Sequence, residues 1–128
     1  MTQQVLDLVT AYQDAWTSGD LDAAAGYLAP DFRFESPGAS FSSAGEFLPF
    51  LARFGGRIGR GWRQVAAFGD GEEMLVMYEL RGPDGQPLPL TVDHFVVRDR
   101  LIAAETLVFD TAAFAQAMAG AAPSRLLQ

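Results

Sequence analysis

Between Trp62 and Phe109 the chain reverses direction three times within a few residues each, and that spacing limits its fold more than any other feature. Apolar and polar residues alternate over about 62–69, 73–81, 88–97 and 101–109, separated by GDGE (69–72), GPDGQP (82–87) and RDR (98–100). Period-two alternation marks strands, and connections this short join antiparallel neighbours, because a parallel pair needs a crossover of a dozen residues or more. A meander of longer strands therefore forms the second half of the chain.

Upstream the period becomes helical. Val5, Leu8, Val9, Tyr12 and Trp16 fall at intervals of three and four, a helical face ending near Ser18 with Gly19 as its left-handed stop. Asp20 caps a second helix, with Leu21, Ala24, Ala25 and Leu28 on its apolar face and Pro30 as its end. Residues 32–36 (FRFES) read as a strand closed by Pro37-Gly38. Ser43 and Glu46 have capping-box spacing ahead of Phe47, Phe50, Leu51 and Phe54, with Pro49 expected to kink that helix or delay its start. Asp110 or Thr111 caps a last helix through Phe114 and Met118. Helices on one face of a mainly antiparallel sheet give an α+β fold, a curved sheet packed on N-terminal helices around a cone-shaped cavity. Residues 1–119 read as one domain and 120–128 as a C-terminal tail.

Composition removes whole classes of chemistry. A net charge of −7 opposes binding to nucleic acid, which needs basic residues against phosphates. No apolar run approaches the roughly 18 residues of a membrane span, and MTQQVLDLVT has no basic leader, so a cytoplasmic protein without a membrane partner is expected. With no cysteine there is no disulfide, thiolate zinc site or thiol nucleophile, and all nine basic residues are arginine, which excludes an internal lysine Schiff base. His94 is the one imidazole, so a site with several histidine ligands is excluded, and no motif requires a cofactor or a metal. Carboxylates, tyrosine hydroxyls and arginines remain as actors.

Asp93 is the anomaly among the strands. In TVDHFVV (91–97), Thr91, Asp93, Phe95 and Val97 share one face while Val92, His94 and Val96 share the other. A carboxylate buried without a partner usually takes up a proton, so Asp93 is either exposed or useful.

The stretch Tyr12–Gly38 (YQDAWTSGDLDAAAGYLAPDFRFESPG), with DHF at 93–95 and VFD at 108–110, resembles the nuclear transport factor 2-like superfamily, nearest to the ketosteroid isomerases and SnoaL-like polyketide cyclases. The resemblance implies the cone-shaped fold, a homodimer through the outer sheet face that carries His94, and an apolar pocket for a small carbonyl compound. It also implies Tyr12 as the oxyanion-binding tyrosine and Asp93 as a neutral acid giving the second hydrogen bond. The isomerase base, an aspartate before a proline, is replaced here by Ser36, and a hydroxyl with no base beside it cannot take a carbon-bound proton at neutral pH.

Glu105 is the replacement base if the last strand points it inward; a register slip of one residue turns it out. Glu35 is a further candidate, turned inward only by a bulge before Pro37. Trp16, Phe34, Ser36, Phe50, Phe54, Trp62 and Phe95 are the expected cavity lining. Arg57, Arg60 and Arg63, set among glycines at 55–63, form a solvated loop or an anion-binding entrance, and lack the lysine followed by Ser or Thr of a phosphate loop. The segment 108–118 (VFDTAAFAQAM) resembles the terminal helix of limonene epoxide hydrolases, but that family's acid–arginine–acid set needs charge where this chain has Leu75, Met77 and Leu107. The expected function is binding of a small, largely apolar molecule with a carbonyl or phenol oxygen, with isomerase or cyclase chemistry through enolate stabilisation. The alternative is a module for non-catalytic binding or for dimerisation.

Overall fold

The computed structural model describes residues 2–120. Helices α1 (Thr2–Thr17) and α2 (Leu21–Ala25) precede strands β1 (Leu28–Glu35) and β2 (Ser40–Phe41). Helix α3 (Ala44–Gly55) leads into β3 (Trp62–Asp70), β4 (Glu73–Leu80), β5 (Thr91–Arg98) and β6 (Leu101–Phe109), and α4 (Thr111–Gly120) follows. The six strands form one curved, unclosed sheet in the order β2-β1-β6-β5-β4-β3. The meander pairs antiparallel throughout, whereas β1 lies parallel to β6. No helix among the described residues is long and apolar enough to cross a membrane. From residue 121 onward the expected tail lies outside the described residues, and Gly120 ends α4.

The local signals act largely as their chemistry dictates. Gly19 takes φ of 92° at the corner after α1, and Asp20 accepts a hydrogen bond from the Ala23 amide at 3.1 Å. Ser43 Oγ accepts from the Glu46 amide at 3.1 Å while Glu46 Oε1 accepts from the Ser42 amide, a capping box displaced by one residue on its return arm. Two expectations are corrected. Helix α3 starts at Ala44 and continues through Pro49 with no delay, because the burial of Phe47 and Leu51 on either side offsets the one backbone hydrogen bond that proline cannot make. Helix α2 stops at Ala25, and Leu28 begins a strand that contains Pro30. The pairing of β1 with β6 jumps from Leu28–Ile102 to Arg33–Ala104, so Pro30 sits in the irregular stretch, where a missing N–H breaks no ladder.

Helices α1 and α3 fill the concave side of the sheet. Val5, Val9, Tyr12 and Trp16 of α1 are buried against it, as are Phe47 and Leu51 of α3. Phe47 is the hub of an aromatic cluster, with ring centroids 4.5 Å from Phe34 and 5.0 Å from Phe32. On the convex side, Phe68, Leu75, Val65 and Val108 are exposed, and His94 Nε2 lies 2.8 Å from Glu73 Oε1. The arginine loop stays at the surface: Arg60 Nη1 donates to the Ser18 carbonyl and Arg63 pairs with Glu79 at 3.1 Å.

Because Phe47 holds both the helix and the β1 wall, Phe47→Ala is expected to destabilise the fold by about 3–5 kcal/mol. Denaturant unfolding of the two proteins, compared at unchanged slope, measures this loss.

Candidate functional site

Strand register assembles the polar centre. Asp93 on β5 lies opposite Val76 on β4 and Leu107 on β6, while Tyr78 lies opposite Thr91 and Glu105 opposite Phe95. Tyr78 and Glu105 are therefore diagonal neighbours of Asp93 on the same inner face, one from each flanking strand, at a separation that long side chains can bridge. The Tyr78 hydroxyl donates to Asp93 Oδ2 at 2.6 Å, and the Glu105 carboxyl comes within hydrogen-bonding reach of Asp93 from the other side. Asp93 Oδ1 and Glu105 Oε1 are sealed from solvent and meet no N–H or hydroxyl donor. Two carboxyls can satisfy each other in this way only by sharing a proton.

Burial pushes Glu105 well above the usual carboxylate range, and the neighbouring Asp93 charge pushes it further. Burial also raises Asp93, but the hydrogen bonds from Glu105 and Tyr78 oppose it and hold it at about 6. At neutral pH one proton thus serves the pair and rests on Glu105, leaving the charge on Asp93. Burial first, then both acids, raise the Tyr12 and Tyr78 hydroxyls well above their ordinary value, so both remain donors.

An apolar cavity of about 220 Å³ opens beside this centre. Phe34, Phe47, Phe50 and Phe54 form one wall, Trp16 and Tyr12 another, and Leu107, Phe109 and Phe114 the side nearest α4. Tyr12, Tyr78, Thr91, Glu105 and Ser36 are the lining residues with a hydroxyl or carboxyl group. The Tyr12 hydroxyl has no hydrogen-bond partner among the described residues, and its ring stands edge-on to Phe95 at 6.2 Å. Since Glu105 Oε1 is sealed from solvent, Oε2 is the oxygen left for the cavity.

Of the expected lining, Trp16, Phe34, Ser36, Phe50 and Phe54 are in place. Trp62 is not: its indole N–H donates to Asp14 Oδ1 at 2.7 Å on the outer side of α1, and its ring backs Tyr78 instead. Phe95 is fully buried beneath Tyr12 and reaches the cavity only through it. Asp93, expected to touch the ligand directly, lies behind Tyr78 and Glu105 and is no part of the lining. Glu105 does point inward, whereas Glu35 is exposed and accepts from Ser40 at 2.7 Å. Ser36 Oγ is spent on Ala39, donating to its carbonyl and accepting from its amide.

Tyr78 escaped the sequence reading. Its signal was present in the alternation Met74, Val76, Tyr78, Leu80, whose face becomes the Asp93 face once 73–81 is paired with 88–97. Among the described residues no group of three or more potential ligands could hold a metal ion.

Residues 9–105 match the family model described as a SnoaL-like domain. Among solved structures, a protein from Kribbella flavida is 29% identical, with a TM-score of 0.78 over 90% of this chain and 93% of that one. A putative polyketide cyclase from Sinorhizobium meliloti is 25% identical, with a TM-score of 0.70 over 79% of this chain and 93% of that one. An epoxide hydrolase of M. tuberculosis, like the limonene enzymes, reaches a TM-score of 0.79 over 98% and 96% of the two chains at 19% identity, a likeness of fold. No curated protein matches the chain.

Ionisation of the pair carries a stability consequence. Below the ordinary carboxylate range Glu105 is protonated whether the chain is folded or not; as pH rises through that range the unfolded chain releases the proton and the folded one keeps it. Stability conferred by this group is therefore present at low pH and lost towards its raised folded value. In thermal unfolding across pH, Glu105→Gln should gain on the parent protein steadily as pH rises, and the two should converge in acid.

Proposed function

This chain belongs to the SnoaL-like domain family, and from that premise we propose that its cavity binds a small, largely apolar carbonyl compound and stabilises its enolate. The observation that carries the reading is the meeting, at one end of an apolar cavity, of a Tyr12 hydroxyl without a partner among the described residues and a buried pair of carboxyls, each with an oxygen that meets no donor. An empty apolar cavity of about 150 Å³ accepts a benzene ring, so about 220 Å³ suits one substituted ring or two fused ones.

In this reading the Tyr12 hydroxyl donates to the carbonyl oxygen. A proton leaves the carbon beside the carbonyl for Glu105 Oε2 while the Glu105 Oε1 proton crosses to Asp93 Oδ1. The C–H electron pair enters the enolate, and the oxygen, now negative, is held by Tyr12. Returning the proton to another carbon completes an isomerisation; attack of the enolate carbon on a second carbonyl completes a cyclisation. The expected direct contact of Asp93 with the ligand is thereby replaced by a role behind Glu105, which keeps the part of proton carrier.

Ser36 supports a second reading, binding without chemistry, since its hydroxyl is spent on Ala39 and supplies no base. Exchange of the activated protons of tetralone for deuterium, followed by nuclear magnetic resonance, separates the two. The catalytic reading expects exchange that disappears in Glu105→Gln and falls about a hundredfold in Tyr12→Phe. It also expects the rate to fall as pH drops through about 6, where Asp93 takes a proton and the pair can accept no more. Tetralone bound without exchange at any pH leaves the binding module standing.

The exposed apolar side chains Phe68, Leu75 and Val108 on the convex face support a homodimer through that face. Sedimentation should show a dimer that Val108→Glu converts to monomer; an unchanged dimer assigns the contact elsewhere.

A further inference from the structure

Asp93 and Glu105 differ in what stands behind them. Asp93 is wholly buried and receives the Tyr78 hydroxyl on Oδ2 at 2.6 Å, whereas Glu105 has no such donor and lines the cavity. A donor on one member of a carboxyl pair stabilises that member's anion and sends the shared proton to the other. Tyr78 is itself braced, its ring edge-on to Trp62 at 5.8 Å and the Trp62 indole tied to Asp14.

Among the described residues, the other groups around the pair add no competing charge of either sign. Tyr12 faces it from α1 as a neutral hydroxyl, and Gln13, which stands near Tyr78, offers an uncharged amide whose Nε2 lacks a partner of normal hydrogen-bond length. From β1, Phe34 lies opposite Glu105 in the register. Among the described residues, no arginine acts on either acid, and neither does His94.

We propose that Tyr78 is a positioning residue that keeps the negative charge on Asp93 and the proton on Glu105, so that the cavity presents an uncharged carboxyl and selects neutral carbonyl compounds over organic ammonium ions. The ligand class rests on the reading of the preceding subsection; the placement of the proton does not. Without the Tyr78 hydroxyl the proton passes to Asp93, and Glu105 faces the aromatic walls as a carboxylate. Aromatic faces beside a carboxylate are the recognition chemistry of an ammonium group.

Infrared spectra in mildly alkaline buffer locate the proton through the carbonyl stretch of an un-ionised carboxylic acid. The band is expected in the parent protein, absent in Glu105→Gln, and restored from Asp93 in the double variant Tyr78→Phe with Glu105→Gln. Isotope-labelled aspartate in Tyr78→Phe alone gives the same answer if the double variant does not fold. Titration with benzyltrimethylammonium, read by tryptophan fluorescence, should show affinity at least about tenfold higher in Tyr78→Phe than in the parent protein. A band still owned by Glu105 in Tyr78→Phe, or an ammonium affinity unmoved by the substitution, overturns the proposal and leaves Tyr78 as packing. If the band moves and the ammonium affinity rises while tetralone neither binds nor exchanges in the parent protein, the positioning role stands and the carbonyl reading falls.

Discussion

One negative charge, held by hydrogen bonds in an apolar interior, governs the inner face of this sheet. An isolated carboxylate there would be far too costly, and among the described residues it is hydrogen bonds that meet the cost. The hydroxyl of Tyr78 and the acid proton of Glu105 both point at Asp93, and strand register alone puts them there. Moving either neighbouring strand by one residue would turn Tyr78 or Glu105 to the convex face and leave Asp93 alone in the core. Register, charge and cavity are thus a single constraint seen at three scales.

The aromatic residues answer the same constraint from the other side. Phe34, Phe47, Phe50 and Phe54 keep water away from the acids, which is what raises Glu105 in the first place. The packing that holds α3 to β1 therefore also tunes the acid pair. A change in a phenylalanine that never touches Glu105 would alter its ionisation by admitting water.

Much of this was legible in the residues themselves. Period-two alternation and short turns gave the meander, and the spacing of Val5, Val9, Tyr12 and Trp16 gave the face of α1, because both follow from local geometry. Counting back along β6 left Glu105 open to either face, and its pairing opposite Phe95 is what turns it inward. Local signals failed where long-range contacts decided. Pro30 reads as a helix stop until the parallel pairing with β6 draws Leu28 into a strand, and Pro49 reads as a kink or a late start until the burial of its neighbours is known. Trp62 reads as cavity lining because its sequence does not reveal that Asp14 waits for its N–H. Tyr78 was invisible as a site residue because a tyrosine within a run of apolar strand residues looks like core, which it also is.

The parallel pairing of β1 with β6 bears on how the molecule assembles. Every other long strand pair joins neighbours in sequence, whereas Leu28 must find Ile102 across more than half of the domain. Closing so large a loop costs chain entropy before its contacts form, which slows folding. Phe34 reaches the cavity from one side of that closure and Glu105 from the other, so a nascent chain has no complete cavity until β6 has left the ribosome and docked.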